Sequence, residues 1–411
     1  MRYKRTILDS ITISIAEYPV TLITGARQVG KTVLASYFEK EFKYITFDDT
    51  ALLSEAKKNP KKFIEKYGYP LIIDEVQRAK EVFIEIENMV NKVRKEQGTE
   101  GANGMYILSG SQKFHLMHGA SESLSGRVGI IEVEPLSQAE IKEWNEEEFS
   151  LNMDKMVEKA SNRKLSDDEL YLSIVRGFYP ARWEIEGKPI NRYYSNYLRT
   201  FIERDVSELI NIKDLPKFEN FLRVIASMTG EEFNTNKVSK ILGIDNKTVE
   251  SWLNILIISN LVTLLEPYYE DSINKRIVKR KKLYFNDTGL ACYLIGIDLP
   301  RTLQLSSFKG RLVETYIHNE IVKSYKNNGI EMQMYYYRDN NQNEIDFIIL
   351  KDGNLYLIEA KAGKIYNSSD IKGFKQLLET KYNIIGQCII CTTDEIYRLN
   401  SQAYAFPIRC I

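Results

Sequence analysis

The stretch PVTLITGARQVGKTVLASYF constrains this chain more than any other, because an apolar β-branched run passes through a glycine-bounded loop directly into a helical pattern. The loop Gly25, Ala26, Arg27, Gln28, Val29, Gly30, Lys31 and Thr32 fits G-x-x-x-x-G-K-[ST] at every position, and Val33 carries it into the helix. Two glycines let backbone N–H groups converge on phosphate oxygens. Lys31 brings positive charge to the β and γ phosphates, and the Thr32 hydroxyl is a ligand for Mg²⁺ at a helix start that favours anions. The strand and helix on either side supply the context that a chance match lacks, and they place the loop in an α/β domain with a parallel sheet.

The run YPLIIDEVQ is the expected companion, a short apolar strand ending in Asp74 and Glu75 and expected beside the loop's own strand. Asp74 would hold Mg²⁺ through water, and Glu75 would orient or deprotonate the attacking water. The plainer alternative is an acidic pair that caps a strand. MYILSGSQ brings Ser109 and Ser111 to the same sheet edge, either as sensors of the γ-phosphate or as turn residues. In SLSGRVGIIEVEPLS, Arg127 is the candidate arginine finger, in cis or from a neighbouring subunit; the alternative is a salt-bridged surface arginine. Its LSGR is like the transporter-cassette signature, but it follows the acidic strand instead of preceding it. No Asn-Lys-x-Asp is present to read guanine, which favours ATP over GTP.

These motifs stand in order as GARQVGKT, LIIDEVQ, LSGS and SLSGRVGIIEVEPLS, and in that order the chain resembles AAA+-like ATPases of bacteria and archaea. That resemblance extends through the chain and implies a C-terminal extension related to restriction-nuclease folds. The length of 411 residues calls for more than one core, and 56 basic against 56 acidic residues exclude a whole-molecule electrostatic attraction to nucleic acid. Four cysteines are too few and too clustered for a disulfide framework, the N-terminus lacks a signal-peptide core, and WLNILIISNLVTLL is too short and too interrupted to span a membrane. A cytoplasmic protein is expected.

Strands stop and charge rises from EWNEEEF onward, which sets the first boundary near residue 145. The expected organisation is a P-loop domain (AAA+/RecA-like) over 1–145, a helical linker or lid over 146–215, a winged helix over 216–300 and an α/β restriction-endonuclease-like domain over 301–411. Within the linker, Arg204 and Asp205 read either as nucleotide contacts or as a structural ion pair. The winged-helix reading rests on NTNKVSKILGIDNKTVESWLNILII, which shows a helix, a turn at Gly243 and a second helix with Trp252, Leu253, Leu256 and Ile257 facing inward. Its exposed face offers one base, Lys247. The following wing concentrates Lys275, Arg276, Lys279, Arg280, Lys281 and Lys282, enough to track a DNA backbone, although such wings also mediate protein contacts and oligomer packing.

In EIDFIILKDGNLYLIEAKAG the Asp-Gly pair predicts a tight hairpin with Lys351 opposite Asn354, and hence Asp346 opposite Glu359. Two carboxylates so placed repel unless a cation lies between them. Lys361, two residues beyond Glu359, shares its face. Asp346, then Glu359-Ala360-Lys361 as E-x-K, with Glu314 from the preceding helix, resembles the PD-(D/E)xK nuclease superfamily. The resemblance implies a Mg²⁺ or Mn²⁺ site on Glu314, Asp346 and Glu359 with Lys361 as catalytic partner; the alternative is a scaffold in which the acids survive as a salt-bridge cluster. The Gln-and-Tyr helix motif of the RecB-like branch is matched only loosely, by Gln376 and Tyr382. Cys388 and Cys391 lie in an apolar strand and read as core, and His115, His118 and His318 match no triad. The expectation is a Mg²⁺-dependent ATPase coupled to a DNA-binding, DNA-cleaving C-terminal region serving genome maintenance or mobile-element defence. The other reading is an ATP switch whose nuclease-like fold binds a protein partner or assembles copies of the chain.

Overall fold

Val20–Gly25 (β1) is buried at every residue, as a strand covered on both faces must be. It joins Lys43–Thr46 (β2), Leu71–Asp74 (β3), Tyr106–Ser109 (β4) and Val128–Val133 (β5) in a five-stranded sheet of order β2-β3-β4-β1-β5. All four pairings are parallel. This structure, a computed structural model, describes residues 3–110, 124–184, 189–206, 215–269, 280–378 and 380–411, and within them the side chains of Arg204 and Asp205 are not described. Ser111, His115, His118, Lys275, Arg276 and Lys279 lie outside the described residues.

The order corrects one expectation. The acidic strand β3 does not lie beside β1; β4 intervenes, with Leu22 of β1 opposite Leu108 and Ile73 of β3 opposite that same residue. The helix Val82–Gln97 covers the sheet through Phe83, Ile86, Val90 and Val93, spaced three or four residues apart on one stripe. Leu22, Phe47, Phe63, Ile73 and Leu108 complete the same fully buried core.

The chain divides into two compact units, the first comprising Met1–Leu136 with Ile258–Asn260 and Lys326–Gly329, the second comprising the remainder. Ser137–Lys142 lies in the second unit although it precedes the boundary expected near 145, and its Gln138 N–H donates to Glu320 there at 2.6 Å.

The second unit is built on a nine-stranded sheet that runs across residue 300. Its strands are Glu231–Glu232 (β6), Val262–Pro267 (β7), Lys282–Phe285 (β8), Gln333–Arg338 (β9), Glu344–Lys351 (β10), Asn354–Ala360 (β11), Asn383–Cys391 (β12), Tyr397–Arg398 (β13) and Ala403–Pro407 (β14). The antiparallel pair β7–β8 continues the C-terminal sheet, because β7 runs parallel to β9 with Glu266 opposite Tyr335. Ahead of it stand helices Leu215–Ser227, Thr235–Leu242 and Asn246–Ile258, the first and third of which pack through Phe218, Phe221 and Trp252, with ring centroids 5.3 and 5.4 Å from the indole. Trp252, Leu253 and Leu256 are buried as their spacing predicts, whereas Ile257, expected to face inward with them, is only partly buried.

The β10–β11 hairpin has the predicted register, from Lys351 opposite Asn354 to Phe347 opposite Ile358. Asp352 and Gly353 both take positive φ, 51° and 73°, as a two-residue turn of this hand requires. On the other edge of β10 the pairing with β9 slips by one residue between Ile345 and Ile348, a bulge that contains Asp346 and Phe347. Cys388 and Cys391 are free thiols buried in β12.

Gly25 permits no side chain: its φ is 143°, and a Cβ there would stand 2.2 Å from the Val133 carbonyl oxygen of β5. Gly25→Ala should cost at least about 2 kcal/mol through forced displacement of adjacent parallel strands. Thermal or urea unfolding reads the loss, and an unchanged midpoint would show that the strands yield freely.

Candidate functional site

The loop after β1 turns through two left-handed residues, Gln28 (φ 64°) and Gly30 (φ 98°), before the helix Lys31–Ser36 begins. The Lys31 ammonium is buried over the loop, donating to the carbonyls of Gly25 at 3.0 Å and Ala26 at 2.7 Å. Thr32 and Val33 are exposed, and Arg27 is partly so. At the end of β3, Asp74 is 4% exposed and surrounded by hydroxyls. Thr32 Oγ1 and the Tyr44 hydroxyl each donate to Oδ2 at 2.9 Å, and Ser109 Oγ donates to Oδ1. The Tyr44 phenol is pushed far up, first by burial and then by the Asp74 charge, so it stays a donor.

The intervening strand explains the role of Ser109. Carried on β4 between β1 and β3, it is fully buried and bonds the acid of the neighbouring strand. Glu75, next along, has a left-handed backbone (φ 56°), and its Oε2 accepts from Gln77 Nε2. Burial raises the Glu75 pKa above the ordinary glutamate value, while the Gln77 bond and the Lys31 charge work against that rise.

Arg127 is placed elsewhere. It directly precedes β5, and Val20 N–H, at the start of β1, donates to its carbonyl at 3.2 Å. Because β1 and β5 run parallel with Val20 opposite Val128 and Gly25 opposite Val133, the P-loop lies a strand length away, about 17 Å at ~3.3 Å per residue. The guanidinium binds Asn91 Oδ1 at 3.0 Å and Ser125 O at 2.9 Å, with Glu87 at 3.6 Å. The expectation of a finger in cis is therefore corrected: Arg127 anchors the far end of the sheet to the helix Val82–Gln97.

One loop-holding residue carried no signal in the sequence. Arg5 is fully buried and donates to Val29 O in the loop at 2.9 Å and to Glu134 O at 2.8 Å. Its partners lie 24 and 129 residues away, beyond any local pattern. Tyr44, within β2, and Gln77, in the turn that follows β3, were also missed.

In the second unit, Glu314 (helix Lys309–Asn327), Glu344 and Asp346 (β10) and Glu359 (β11) come together around a residue expected elsewhere. Lys282, assigned above to a basic wing, is the first residue of β8 and only 2% exposed. Its Nζ lies 3.1 Å from Glu314 Oε1, 2.5 Å from Glu344 Oε1 and 3.2 Å from Asp346 Oδ1. Burial alone would lower its pKa, but Glu314, Asp346 and Glu344 outweigh burial and hold it well above the usual value, so it stays an ammonium. Tyr284 donates to Glu314 Oε1 at 2.6 Å and stacks on His318 at 4.1 Å, and Ala360 N–H donates to Asp346 Oδ2 at 2.9 Å. Lys361 Nζ pairs with Glu359 Oε1 at 2.9 Å.

Of the other wing residues among those described, Lys281 pairs with Glu266 at 2.8 Å and Arg280 is exposed; Lys247, on the helix Asn246–Ile258, is also exposed. Glu344 could have been noticed in the sequence, since strand alternation puts it on the side of Asp346.

Two donor sets can now be compared with the metals they were expected to hold. Thr32 and Asp74 bring hard oxygens together at 2.9 Å beside a phosphate-binding loop, a set that fits Mg²⁺ with nucleotide. Glu314, Asp346 and Glu359 do not fit: a lysine ammonium fills the space between Glu314 and Asp346, and among the described residues no group of three or more His, Cys, Asp or Glu could hold a metal. The expected metal role of those acids is corrected on that ground. No helix of the described residues is long and apolar enough to cross a membrane.

The loop, the acid at the end of β3 and the parallel sheet define the first unit as a P-loop ATPase domain. In agreement, the model of an AAA domain matches residues 17–142. Two domains of unknown function match the remainder, DUF8612 over 167–301 and DUF4143 over 309–411. Uncharacterized proteins of Mycobacterium bovis and Mycobacterium tuberculosis are each 25% identical over 345 residues, spanning 84% of this chain and 70% of theirs. Among solved structures, the Walker-type ATPase of Pyrococcus abyssi is 17% identical with a TM-score of 0.43, covering 70% of this chain and 94% of its own. A signal-transduction ATPase with a tetratricopeptide repeat sensor from Pyrococcus horikoshii is 11% identical with a TM-score of 0.26, covering 78% and 46% respectively.

Arg5→Met should preserve the apolar stem yet strand the Val29 and Glu134 carbonyls, at about 1–3 kcal/mol for each buried group left unpaired. A nucleotide-binding titration should show weakened affinity alongside a lowered unfolding midpoint. Unchanged affinity in a destabilised protein would confine Arg5 to a purely structural role.

Proposed function

We propose that the chain is a Mg²⁺-dependent ATP hydrolase whose second unit is a non-cutting module switched by the nucleotide state of the first. The observation that carries the hydrolase reading is the buried Asp74 carboxylate, bonded by Thr32 of the loop at the end of the parallel sheet. When bound, Mg²⁺ would supply Lewis-acid neutralisation of the phosphate charge, held by Thr32 and Asp74. Lys31 would leave the Gly25 and Ala26 carbonyls for phosphate oxygens, and the loop's N–H groups would orient them. Tyr44 and Ser109 would fix the Asp74 carboxylate, and Glu75 would take a proton from the attacking water once released from Gln77.

The helices and the β7–β8 pair of residues 215–285 support a winged-helix arrangement, and the β10–β11 hairpin with Glu314 supports a nuclease-like one. The position of Lys282 favours binding over cleavage, because a phosphodiesterase of this design needs its metal between those same acids. Among the described residues, two of the expected basic side chains, Lys281 and Lys282, are engaged in ion pairs, which favours a protein partner or a second copy of this chain as what the module engages.

Lys31→Ala should abolish ATP turnover, while wild-type protein with plasmid, linear or single-stranded DNA and Mg²⁺ or Mn²⁺ should leave the DNA intact. Cleavage that disappears in Asp346→Ala would reinstate the nuclease reading.

A pH profile tests Glu75. The carboxylate must be ionised to accept a proton, so turnover falls as pH drops through its pKa, and the acid limb should lie above the ordinary 4.5. Gln77→Leu removes the bond that lowers this pKa in the free enzyme, so the acid limb of kcat/KM, which reports that state, should move to higher pH. Glu75→Gln should lower turnover about 100-fold or more. A limb that stays in place in Gln77→Leu, or full turnover in Glu75→Gln, would remove Glu75 from the role.

A further inference from the structure

The cage of the second unit has the form of a cation site that already contains its cation. An ammonium presents three N–H donors, and Lys282 places them among three carboxylates at 2.5 to 3.2 Å. These are N–H···O lengths, longer than the roughly 2.0–2.2 Å of Mg²⁺–oxygen bonds. Lys282 also lies over the Tyr336 ring, 5.6 Å from its centre, so an aromatic face adds to the carboxylates around the ammonium.

A further observation points to unmet demand for positive charge. Glu359 is 7% exposed; its Oε1 takes the Lys361 ammonium, but its Oε2 is buried with no hydrogen-bond partner. Burial, then the neighbouring Asp346, raises the Glu359 pKa, and burial likewise raises that of Glu314 against the pull of Lys282. Four carboxylates thus share two lysines, and the more buried lysine stands at their centre.

We infer that this cage is a cation site whose occupant is the protein's own Lys282 ammonium, and that the lysine excludes divalent metal from Glu314, Asp346 and Glu359. The consequence is specific. Removing the ammonium while retaining the aliphatic stem leaves a buried acidic cavity that a hard divalent cation can fill. The inference deepens the non-cutting reading of the second unit and is independent of ATP hydrolysis in the first.

Mn²⁺ binding followed by electron paramagnetic resonance, without nucleotide, tests it on the full chain as wild type, Asp346→Asn, Lys282→Met, and Lys282→Met combined with Asp346→Asn. Lys282→Met should bind one Mn²⁺ at least ten-fold more tightly than wild type, and the added Asp346→Asn should abolish that gain. Asp346→Asn touches only the cage, so any Mn²⁺ held at Asp74 is subtracted. Thermal unfolding gives a second readout: Lys282→Met should be destabilised without metal and recover in millimolar Mn²⁺, whereas the wild-type midpoint should not move.

Three results would overturn the inference. They are a wild-type Mn²⁺ site lost in Asp346→Asn alone, a folded Lys282→Met that gains no site, and an unfolded Lys282→Met that Mn²⁺ does not restore. ATP turnover of the wild type, measured in parallel, keeps failure of the hydrolase reading separate from all three.

Discussion

A carboxylate removed from water costs several kcal/mol unless donors or a cation surround it, and both units of this chain are arranged around that constraint. In the first, Asp74 is satisfied by hydroxyls from three different elements, on β2, β4 and the helix after the loop. In the second, Glu314, Glu344 and Asp346 converge on one ammonium. The same physical problem has two solutions with opposite chemical consequences. Neutral hydroxyls leave the negative charge available to a metal, whereas a lysine neutralises it in place.

The first unit shows how strand order turns a motif into a site. With β4 inserted between β1 and β3, the acid is one strand removed from the loop, and Thr32 on the helix after the loop reaches it nonetheless. The intervening strand contributes Ser109 to the same carboxylate. Arg5 holds the loop at Val29 and the strand end at Glu134, so the phosphate-binding backbone is fixed by a buried side chain as well as by its own glycines. Arg127, at the opposite end of the same strands, is part of the scaffold.

In the second unit the bulge at Asp346 and Phe347 and the continuation of the sheet through β7 and β8 have a joint effect. A strand pair that reads from sequence as a separate wing becomes part of the sheet, and the first residue of β8, Lys282, is carried inside. Like charges clustered along a sequence need not share a surface. Lys281, just ahead of β8, pairs with Glu266, while Lys282, the first residue of the strand, enters the cage.

Read alone, the sequence determined those features in which a local pattern has only one physical use. These are the loop with its two glycines and Lys31, the acid ending an apolar strand, the Asp-Gly hairpin register, and the buried stripe of Trp252, Leu253 and Leu256. Spacing along the chain suffices there because the interacting atoms belong to neighbouring turns or to directly paired strands. Only the tertiary structure decided which strand lies next to β1, that Arg127 is far from the loop, that Arg5 supports it, and that Lys282 and not a metal lies among the acids. Each of those depends on packing between residues distant in sequence, where burial and charge pairing act through space and leave no periodic trace in the chain.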